Sequence, residues 1–494
     1  MAKDRRAGIT PRAEDYARWY LEVVQRAELA DYAPVKGCMV IKPYGYAIWE
    51  AIQRTLDGMI KETGHVNAYF PLLIPVSFLQ KEAEHVEGFA MECAVVTHSG
   101  LYKDEDGRLR ARGELEEPLI VRPTSETIIW HTVRNWIQSW RDLPLLLNQW
   151  ANVMRWEMRP RLFLRTLEFL WQEGHTAHAT HQEAREETLR MLGVYRRLLE
   201  EHFAIHVVAG RKSEAEKFPG ALSTFTVEAM MQDGRALQAG TSHDLGQNFS
   251  RAFEVTFQDR DGTLQHVWTT SWGVSTRLVG ALVMAHGDDS GLVLPPRLAP
   301  VQVVVVPFLR RPEDRARVEP ALARLVDGLR AQGVRLHVDA RDHVSPGAKF
   351  YEWEGKGVPL RVELGPREVE RGEVVEVRRY DGRRRALSLE AFVQGVVPAL
   401  EEIQRDLLVR HRAFTEARLH RCQSYAELQD VIEGDRGWVL AWWCGGAPCE
   451  ARVKEQTKAT IRCIPLEGEM PGAAARCIVC GEGAAERVVF ARAY

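Results

Sequence analysis

The sequence lacks the features that mark membrane proteins, secreted proteins and strongly basic DNA-binding proteins. It contains no run of about 18 apolar residues, so no transmembrane helix is expected. Residues 1–6 are charged and no apolar segment follows them, which argues against a secretory signal. A formal net charge of -3 gives no general attraction to nucleic acid. We therefore expect a cytoplasmic protein with no membrane contact and no DNA partner.

The chain is long for a single hydrophobic core. At 494 residues it should divide into several domains. Three prolines close together, Pro295, Pro296 and Pro300, interrupt helix and interior strand alike and predict a linker. Before them, helical stretches mix irregularly with short strands, which favours an antiparallel sheet flanked by helices. After them, strand and helix alternate at βαβ spacing, which predicts an α/β domain with a largely parallel sheet.

The cysteines are concentrated at one end of the chain. Six of the eight lie between positions 422 and 480, and two pairs have the spacing of metal-binding knuckles: Cys444 with Cys449, and Cys477 with Cys480. In a cytosolic protein this pattern indicates a structural zinc site, because four thiolates leave no open position for water. Buried free thiols are the alternative, and Cys463 is close enough in sequence to replace one ligand.

The segment from Arg155 to His175 is the densest in chemistry. Between these two positions, ends included, it holds four arginines, three carboxylates, one histidine and four aromatic side chains. The separation of Arg155 and Arg165 suits two antiparallel strands joined by a loop, with both guanidiniums over one face. Phe169 on the returning strand could offer its ring to a base. A single arginine is more often a surface ion pair, but the combination indicates a nucleotide site.

This segment resembles motif 2 of class II aminoacyl-tRNA synthetases, most closely that of prolyl-tRNA synthetases of the archaeal and eukaryotic type. The resemblance covers nearly the whole chain. Further similar segments are residues 43–45, 122–127, 238–243, 271–277, 286–289 and 349–354, together with the cysteine pairs and Tyr494. The implied fold is α+β with three parts: a class II catalytic domain over 1–294, an α/β anticodon-binding domain over 301–394 and a C-terminal zinc-binding domain over 395–494.

The resemblance implies a proline–tRNA ligase. Such an enzyme activates L-proline with ATP, bound with Mg²⁺, to prolyl-adenylate and transfers the prolyl group to the 3' end of tRNA(Pro); the family also implies a homodimer. The stretch between Arg165 and Arg277 is short and mostly resembles family segments, so no inserted editing domain is expected. Two alternatives remain at this point: a specialised or inhibitor-tolerant second copy of the enzyme, and a non-catalytic paralogue that binds RNA or regulates another protein.

The family also implies roles for individual residues. Those assigned to ATP are Arg155, Glu157, Arg165, Thr166, Phe169, Gln238, Thr241, Ser275 and Arg277, of which Arg155, Arg165 and Arg277 are catalytic. Those assigned to proline are Thr124, Glu126, Arg155, Trp171, Glu173, His175 and His243. Glu354, Arg361 and Arg367 are assigned to the anticodon, and Cys444, Cys449, Cys477 and Cys480 to zinc.

Some positions depart from the family pattern near the expected binding surfaces. The loop between the two arginines ends in Leu162, Leu167 stands where a polar residue is common, and Met91 and Asp244 are also unusual. Residues 101–112 look inserted. These changes leave the catalytic arginines intact, so they bear on how substrates or inhibitors fit. The sequence does not decide whether Tyr494 reaches the active site.

Overall fold

The structure is a computed structural model that describes residues 8–83, 93–309, 311–434 and 437–494. Met91 therefore lies outside the described residues. None of the described helices is both long and apolar enough to cross a bilayer.

The part of the chain before Pro295 forms a mostly antiparallel sheet flanked by helices, as expected. The helices are α1 (Tyr16–Arg26), α2 (Pro43–Glu62), α3 (Val76–Ala83), α4 (Glu126–Val133), α5 (His181–Arg197), α6 (Asn248–Ala252) and α7 (Arg277–His286). The strands are β1 (Ala30–Tyr32), β2 (Met39–Ile41), β3 (Val66–Asn67), β4 (Leu73–Pro75), β5 (Ala94–Lys103), β6 (Leu109–Val121), β7 (Leu145–Met154), β8 (Glu168–His178), β9 (Val207–Arg211), β10 (Ser223–Met230), β11 (Ala236–Gly246), β12 (Thr256–Gln258), β13 (Leu264–His266) and β14 (Trp268–Ser275). The residues thought to be inserted belong to the β5–β6 hairpin.

The central strands run in the order β9, β10, β11, β14, β8, β7 and β3. Helix α5 covers one face of this sheet and begins at a capping box in which Thr180 and Glu183 exchange hydrogen bonds. Strand β8 presents Gln172 to that face, where its side chain lies 2.7 Å from the hydroxyl of Tyr195 on α5. Because side chains alternate along a strand, Phe169, Trp171 and their odd-numbered neighbours face the other way. One face of the sheet is therefore covered and the other is available for a site.

The next part of the chain is an α/β unit with a five-stranded sheet. Its strands are β15 (Val303–Pro307), β16 (Leu336–Val338), β17 (Leu360–Leu364), β18 (Glu373–Arg378) and β19 (Arg384–Ser388), in the order β16, β15, β17, β18, β19. Its helices are α8 (Pro312–Ala331), α9 (Pro346–Gly355), α10 (Pro366–Arg371) and the long α11 (Leu389–Glu416). The first three strands are parallel, but β18 and β19 are antiparallel, so the sheet is mixed rather than largely parallel.

The C-terminal part continues the central sheet. Its strands are β20 (Leu419–Arg421), β21 (Trp438–Trp443), β22 (Thr460–Pro465) and β23 (Glu486–Ala491), and its helices are α12 (Tyr425–Glu433) and α13 (Ala447–Thr457). Strand β22 pairs antiparallel with β9, opposing Ile464 to Arg211 and Pro465 to Gly210. The four strands of the C-terminal part thus join the seven central strands in one eleven-stranded sheet. Position 394, where a boundary was predicted, lies inside the continuous helix α11.

Candidate active site

A cavity of about 350 Å³ opens on the free face of the central sheet. Strand β8 contributes four alternate residues to it, Phe169, Trp171, Glu173 and His175. Strands β11 and β14 supply the rest of the floor. The other predicted site residues among its lining are Thr124, Glu126, Arg155, Gln238, Thr241, His243, Ser275 and Arg277. The alternation of β8 therefore brings an aromatic, an acidic and a basic group to one surface.

One end of the cavity is cationic. Arg155 donates from Nε to the carbonyl of Pro123 at 2.8 Å, which fixes its guanidinium 5.5 Å from the ring of Phe169 and 5.4 Å from that of Trp171. Arg277, the first residue of α7, donates to the carbonyl of Leu164 at 3.3 Å. Burial, and then the charges of Arg165 and Arg155, lower the pKa of Arg277 to about 10. The positive charges of Arg155 and Arg165 disfavour the charge of Arg277, so an anion is favoured at this end.

The other end is acidic, aromatic and enclosed. The buried carboxylate of Glu173 accepts hydrogen bonds from Ser125, Gln149 and His175. Burial opposes the charge of Glu173, but the hydrogen bond from His175 and the other donors hold its pKa below the usual range. Glu126 accepts from the hydroxyl of Thr124. Two carboxylates beside aromatic rings suit a small ligand that has a cationic nitrogen and an apolar body.

The pKa values of the two histidines of this recess are shifted in opposite directions. Burial disfavours the charged form of His175, but its hydrogen bond to Glu173 at 3.0 Å and the charges of Glu126 and Glu173 raise its pKa. Burial, and then the charge of His175, lower the pKa of His243 to about 3, so its ring is neutral. The Nδ1 of His243 lies 3.0 Å from the hydroxyl of Thr224, and its ring packs 4.6 Å from Phe218. His243 therefore offers a neutral surface beside the hydrogen-bonded pair of His175 and Glu173.

Three predicted ATP residues lie outside the described lining of the cavity: Glu157, Arg165 and Thr166. Arg165 is exposed, and its backbone exchanges two hydrogen bonds with Arg161. The hydroxyl of Thr166 donates to the carbonyl of Glu168 at 2.8 Å, and Glu157 accepts from the backbone of Arg159 at 2.9 Å. All three belong to the connection between β7 and β8. The charge of Arg165 contributes to the lowered pKa of Arg277.

Sequence reasoning missed one side of the cavity. Glu216, Lys217, Phe218 and Pro219 line it from the connection between β9 and β10. The available signal was the charged run that ends in Phe218-Pro219-Gly220, since a turn rich in charge between two strands often contributes to a site.

Comparisons with known proteins agree with this geometry. The model for "tRNA synthetase class II core domain (G, H, P, S and T)" matches residues 108–286, and the model for "Anticodon binding domain" matches 302–397. A third, "Prolyl-tRNA synthetase, C-terminal", matches 425–494. The chain is 55% identical to the proline–tRNA ligase of Porphyromonas gingivalis over the full length of both proteins. The chain belongs to the prolyl-tRNA synthetase family.

Other members of the prolyl-tRNA synthetase family are similarly close. The proline–tRNA ligase of Roseiflexus castenholzii is 57% identical over 99% of each chain. The crystal structure of prolyl-tRNA synthetase from Cryptosporidium parvum complexed with halofuginone and AMPPNP superposes with a TM-score of 0.92, at 38% identity and over 99% of each chain. Class II core, anticodon-binding and C-terminal parts of a prolyl-tRNA synthetase are thus all present.

Three residues that depart from the family pattern lie within the described part of the chain, Leu162, Leu167 and Asp244, and none of them is among the described residues that line the cavity. Leu162 is buried in the main core, and its carbonyl accepts from the hydroxyl of Tyr20 at 2.8 Å. Leu167 is also buried, and its backbone donates to Gly37 at 2.8 Å. Asp244 is buried and lies 2.7 Å from Nε2 of His181 at the start of α5, away from the described lining of the cavity. These side chains support the elements around the site.

The anticodon-binding part of the synthetase has a second, smaller cavity of about 110 Å³. Glu354 and Arg361 line it, together with Arg378 and Arg379. Arg361 packs 4.1 Å from the ring of Phe350 and donates to Glu363 at 3.2 Å. Arg367 is exposed on α10 and is not among the described residues that line this cavity. The structure therefore brings together two of the three residues assigned to the anticodon.

The C-terminal cysteines converge as a metal site requires. The Sγ atoms of Cys444, Cys449, Cys477 and Cys480 all lie within 4.8 Å of one another. Cys444 and Cys449 are 3.7 Å apart, close to the separation of about 3.8 Å that tetrahedral zinc gives its thiolates. Burial opposes the thiolate of Cys477, but backbone N–H donors lower its pKa to about 7. The four residues fit a structural zinc ion, whereas Cys463 is buried in β22 outside this set.

The last residue of the chain docks beside the cavity. Tyr494 donates from its backbone to Ala236 at 3.1 Å and from its hydroxyl to Asp233 at 2.6 Å. Ala236 opens β11, close to Gln238 of the cavity on the same strand. Tyr494 itself is not among the described residues that line the cavity.

Proposed function

We propose that this chain activates L-proline with ATP, which binds with Mg²⁺, and transfers the prolyl group from prolyl-adenylate to the 3' end of tRNA(Pro). One observation carries the proposal: a cationic end and an acidic, aromatic recess share a single cavity of about 350 Å³. A polyphosphate fits the first, and a small cyclic ammonium fits the second. The two reacting groups, the proline carboxylate and the α-phosphate, would meet between them, at Arg155.

The ATP roles follow from the cationic end. Arg155 would bridge the α-phosphate and the proline carboxylate, while Arg165 at the mouth would contact the γ-phosphate. Phe169 and Arg277 would enclose the adenine, with Gln238, Thr241 and Ser275 beside the ribose and base. Glu157 and Thr166 would act from the β7–β8 connection. The bound AMPPNP in the Cryptosporidium parvum relative supports a nucleotide in this fold.

The proline roles follow from the recess. The secondary ammonium carries two N–H donors, which Glu126 and Thr124 would accept, while Glu173 supplies a second carboxylate behind them. Trp171, His175 and His243 would enclose the apolar ring. The neutral state of His243 suits this role, because packing an apolar ring against it buries no charge.

The chemistry needs no general base. The proline carboxylate is already a nucleophile at neutral pH, so the protein must hold two anions in line and stabilise charge on the α-phosphoryl group. Converging arginines perform this task by electrostatic stabilisation in a site formed before the substrates arrive. Arg155, Arg165 and Arg277 are accordingly the residues we propose as catalytic.

We propose further that Glu354, Arg361 and Arg367 contact anticodon bases. A carboxylate accepts from base amino groups and a guanidinium donates to guanine. Glu354 and Arg361 line one cavity, which supports a joint role, and Arg367 would contact RNA at the exposed start of α10. A structural zinc ion would be held by Cys444, Cys449, Cys477 and Cys480.

The enzyme type and the extents of the domains are also proposals. The relatives named above include bacterial proteins at 55% and 57% identity and a eukaryotic one at 38%. Residues 166–276 form strands β8–β14 with α5 and α6, which supports a chain of the archaeal and eukaryotic type without an inserted editing domain. We propose domains over 1–294, 301–394 and 395–494, with α11 shared between the last two.

We also propose a homodimer that works in the cytoplasm. Exposed apolar side chains near the N-terminal part of the fold, among them Val35, Val40 and Tyr69, support a contact with a second copy. Light scattering at micromolar concentration tests this, and a single monomeric mass would rule it out.

The activity is tested by ATP–pyrophosphate exchange with each amino acid in turn. We expect exchange that depends on proline, followed by charging of tRNA(Pro). Faster exchange with another amino acid would overturn the substrate, and no exchange with any would indicate a non-catalytic paralogue.

A further inference from the structure

Residues 212–219, here called the wall segment, form the side of the cavity that sequence reasoning missed. The segment follows β9, and four of its residues line the cavity. The ring of Phe218 packs 4.6 Å from His243, and its backbone N–H donates to Thr224 at 2.9 Å. The hydroxyl of Thr224 is also 3.0 Å from His243. The wall segment therefore borders the recess proposed for proline.

A buried ion cluster holds the start of the wall segment. Lys212 lies 2.7 Å from the carboxylate of Glu228, which is fully buried on β10. Arg462 reaches the same carboxylate from β22 of the C-terminal part, at 3.1 Å, with its side chain 7% exposed. Charges sheltered from water interact more strongly than exposed ones, and removing one partner leaves another uncompensated. The C-terminal part thus supplies a cation beneath the cavity.

A second set of contacts holds the middle of the wall segment. Ser213 donates to Glu450 at 2.6 Å, and Lys454 lies 3.3 Å from Glu216. Glu450 and Lys454 are one helical turn apart on α13, so they project from the same face of the helix. Glu450 directly follows Cys449 of the cysteine cluster. Helix α13 therefore presents one face to the wall segment while its first turn belongs to the proposed zinc site.

We propose that Arg462, Glu450 and Lys454 are positioning residues that hold the wall segment against the proline recess and so set the affinity for proline. None of the three lines the cavity among the described residues. They act through Lys212, Ser213 and Glu216 on the position of Phe218. Loss of these contacts removes neither the hydrogen bond of Arg155 to Pro123 nor that of Arg277 to Leu164, so it should raise the KM for proline much more than it changes kcat. This inference rests on the proposed function.

The test uses the full-length protein in proline-dependent ATP–pyrophosphate exchange. The double variant Glu450→Ala with Lys454→Ala should raise the KM for proline about tenfold, the effect of losing roughly 1.4 kcal/mol of binding free energy, with kcat within about twofold of the parent. Hydrogen exchange of the peptide that covers residues 212–219 should become faster. Arg462→Met should act in the same direction, and Arg462→Lys, which keeps the charge, should restore most of the affinity.

Arg452→Ala is the matched control, because Arg452 lies on the same helix and packs on Tyr425 instead, 5.1 Å from the ring. It should leave the KM for proline and the hydrogen exchange of residues 212–219 unchanged. An unchanged KM in the double variant, or a fall in kcat with the KM unmoved, would overturn the inference while leaving the proposed function intact. A parent protein without proline-dependent exchange would instead overturn the proposed function itself.

Discussion

The guanidinium of Arg379 forms two hydrogen bonds with the carboxylate of Asp288, at 2.6 and 2.7 Å. Asp288 lies just beyond α7, the helix that begins with Arg277 of the active site. The Nε of Arg379 also donates to the carbonyl of Glu354 at 2.8 Å, beside the small cavity proposed for the anticodon. A single side chain thus joins the anticodon-binding part to a helix of the catalytic part.

Arg379→Ala should weaken this junction. Two charge-assisted hydrogen bonds are lost and a half-buried carboxylate remains, so we expect the free energy of unfolding to fall by about 2 kcal/mol. Charging of tRNA(Pro) should lose more kcat/KM than ATP–pyrophosphate exchange does. Chemical denaturation and the two assays measure these effects. Arg330→Ala, an exposed change in the same part of the chain, is the control, and equal losses in both assays would contradict the prediction.

Arg155→Ala should abolish adenylate formation. The variant removes the guanidinium that would bridge the two anions, and loss of such a contact costs roughly 100-fold or more in rate. The circular dichroism spectrum should stay that of the parent, because Arg155 lies beyond the end of β7 and outside the core. ATP–pyrophosphate exchange is the measurement. Arg134→Ala removes an exposed arginine outside the described cavity lining and should retain full exchange.

Acid should destabilise the protein through buried neutral histidines. Burial lowers the pKa of His286 to about 4 and that of His411 to about 3. In the unfolded chain both would bind a proton near pH 6.5, so between pH 6.5 and about 4 the unfolded state binds more protons and stability falls as the pH falls. At pH 5.5 this amounts to about 1.4 kcal/mol per histidine.

Urea denaturation at pH 7.5 and 5.5 measures this dependence. His411→Gln should reduce the difference between the two pH values, even where it lowers stability at both. A pH dependence as steep as that of the parent would contradict the assignment. His343→Gln is a suitable control, because His343 is exposed.

The cysteine cluster should bind one zinc ion per chain. Cys480→Ala should lower the zinc content measured by elemental analysis of the purified protein, because a four-thiolate site loses one ligand. It should also lower the melting temperature of the C-terminal part. Cys38→Ala changes a cysteine outside the cluster and should keep the metal. Equal zinc content in both variants would show that the cluster is not the metal site.

The parts of the candidate site that depend on local residue spacing could be predicted from the sequence. The alternation of Phe169, Trp171, Glu173 and His175 needs only a strand, and β8 provides it. Each cysteine pair comes from one short segment of the chain, so their convergence required only that the two segments meet. The parallel start of the α/β sheet followed from βαβ spacing, because a helix between two strands favours a parallel pair.

The rest depends on contacts between distant residues. The pairing of β22 with β9 joins Ile464 to Arg211, across more than half of the chain, and no local pattern selects that partner. The wall segment was missed for the same reason, since its role becomes visible only when Arg462 and α13 are placed against it. The antiparallel pairing of β18 with β17 and β19 was not predicted, because a short hairpin can follow either kind of sheet.

The pairing of β9 with β22 delays completion of the central sheet during synthesis of the protein. Both strands must be present before the central sheet is complete, and β22 ends at Pro465, close to the last residue, Tyr494. Residues 212–459 are synthesised between the two strands, so the recess proposed for proline gains its outer support only after β22 has been made. Contacts between residues this distant along the chain form slowly. A chain interrupted after α11 would expose the unpaired edge of β9, and unpaired strand edges favour aggregation.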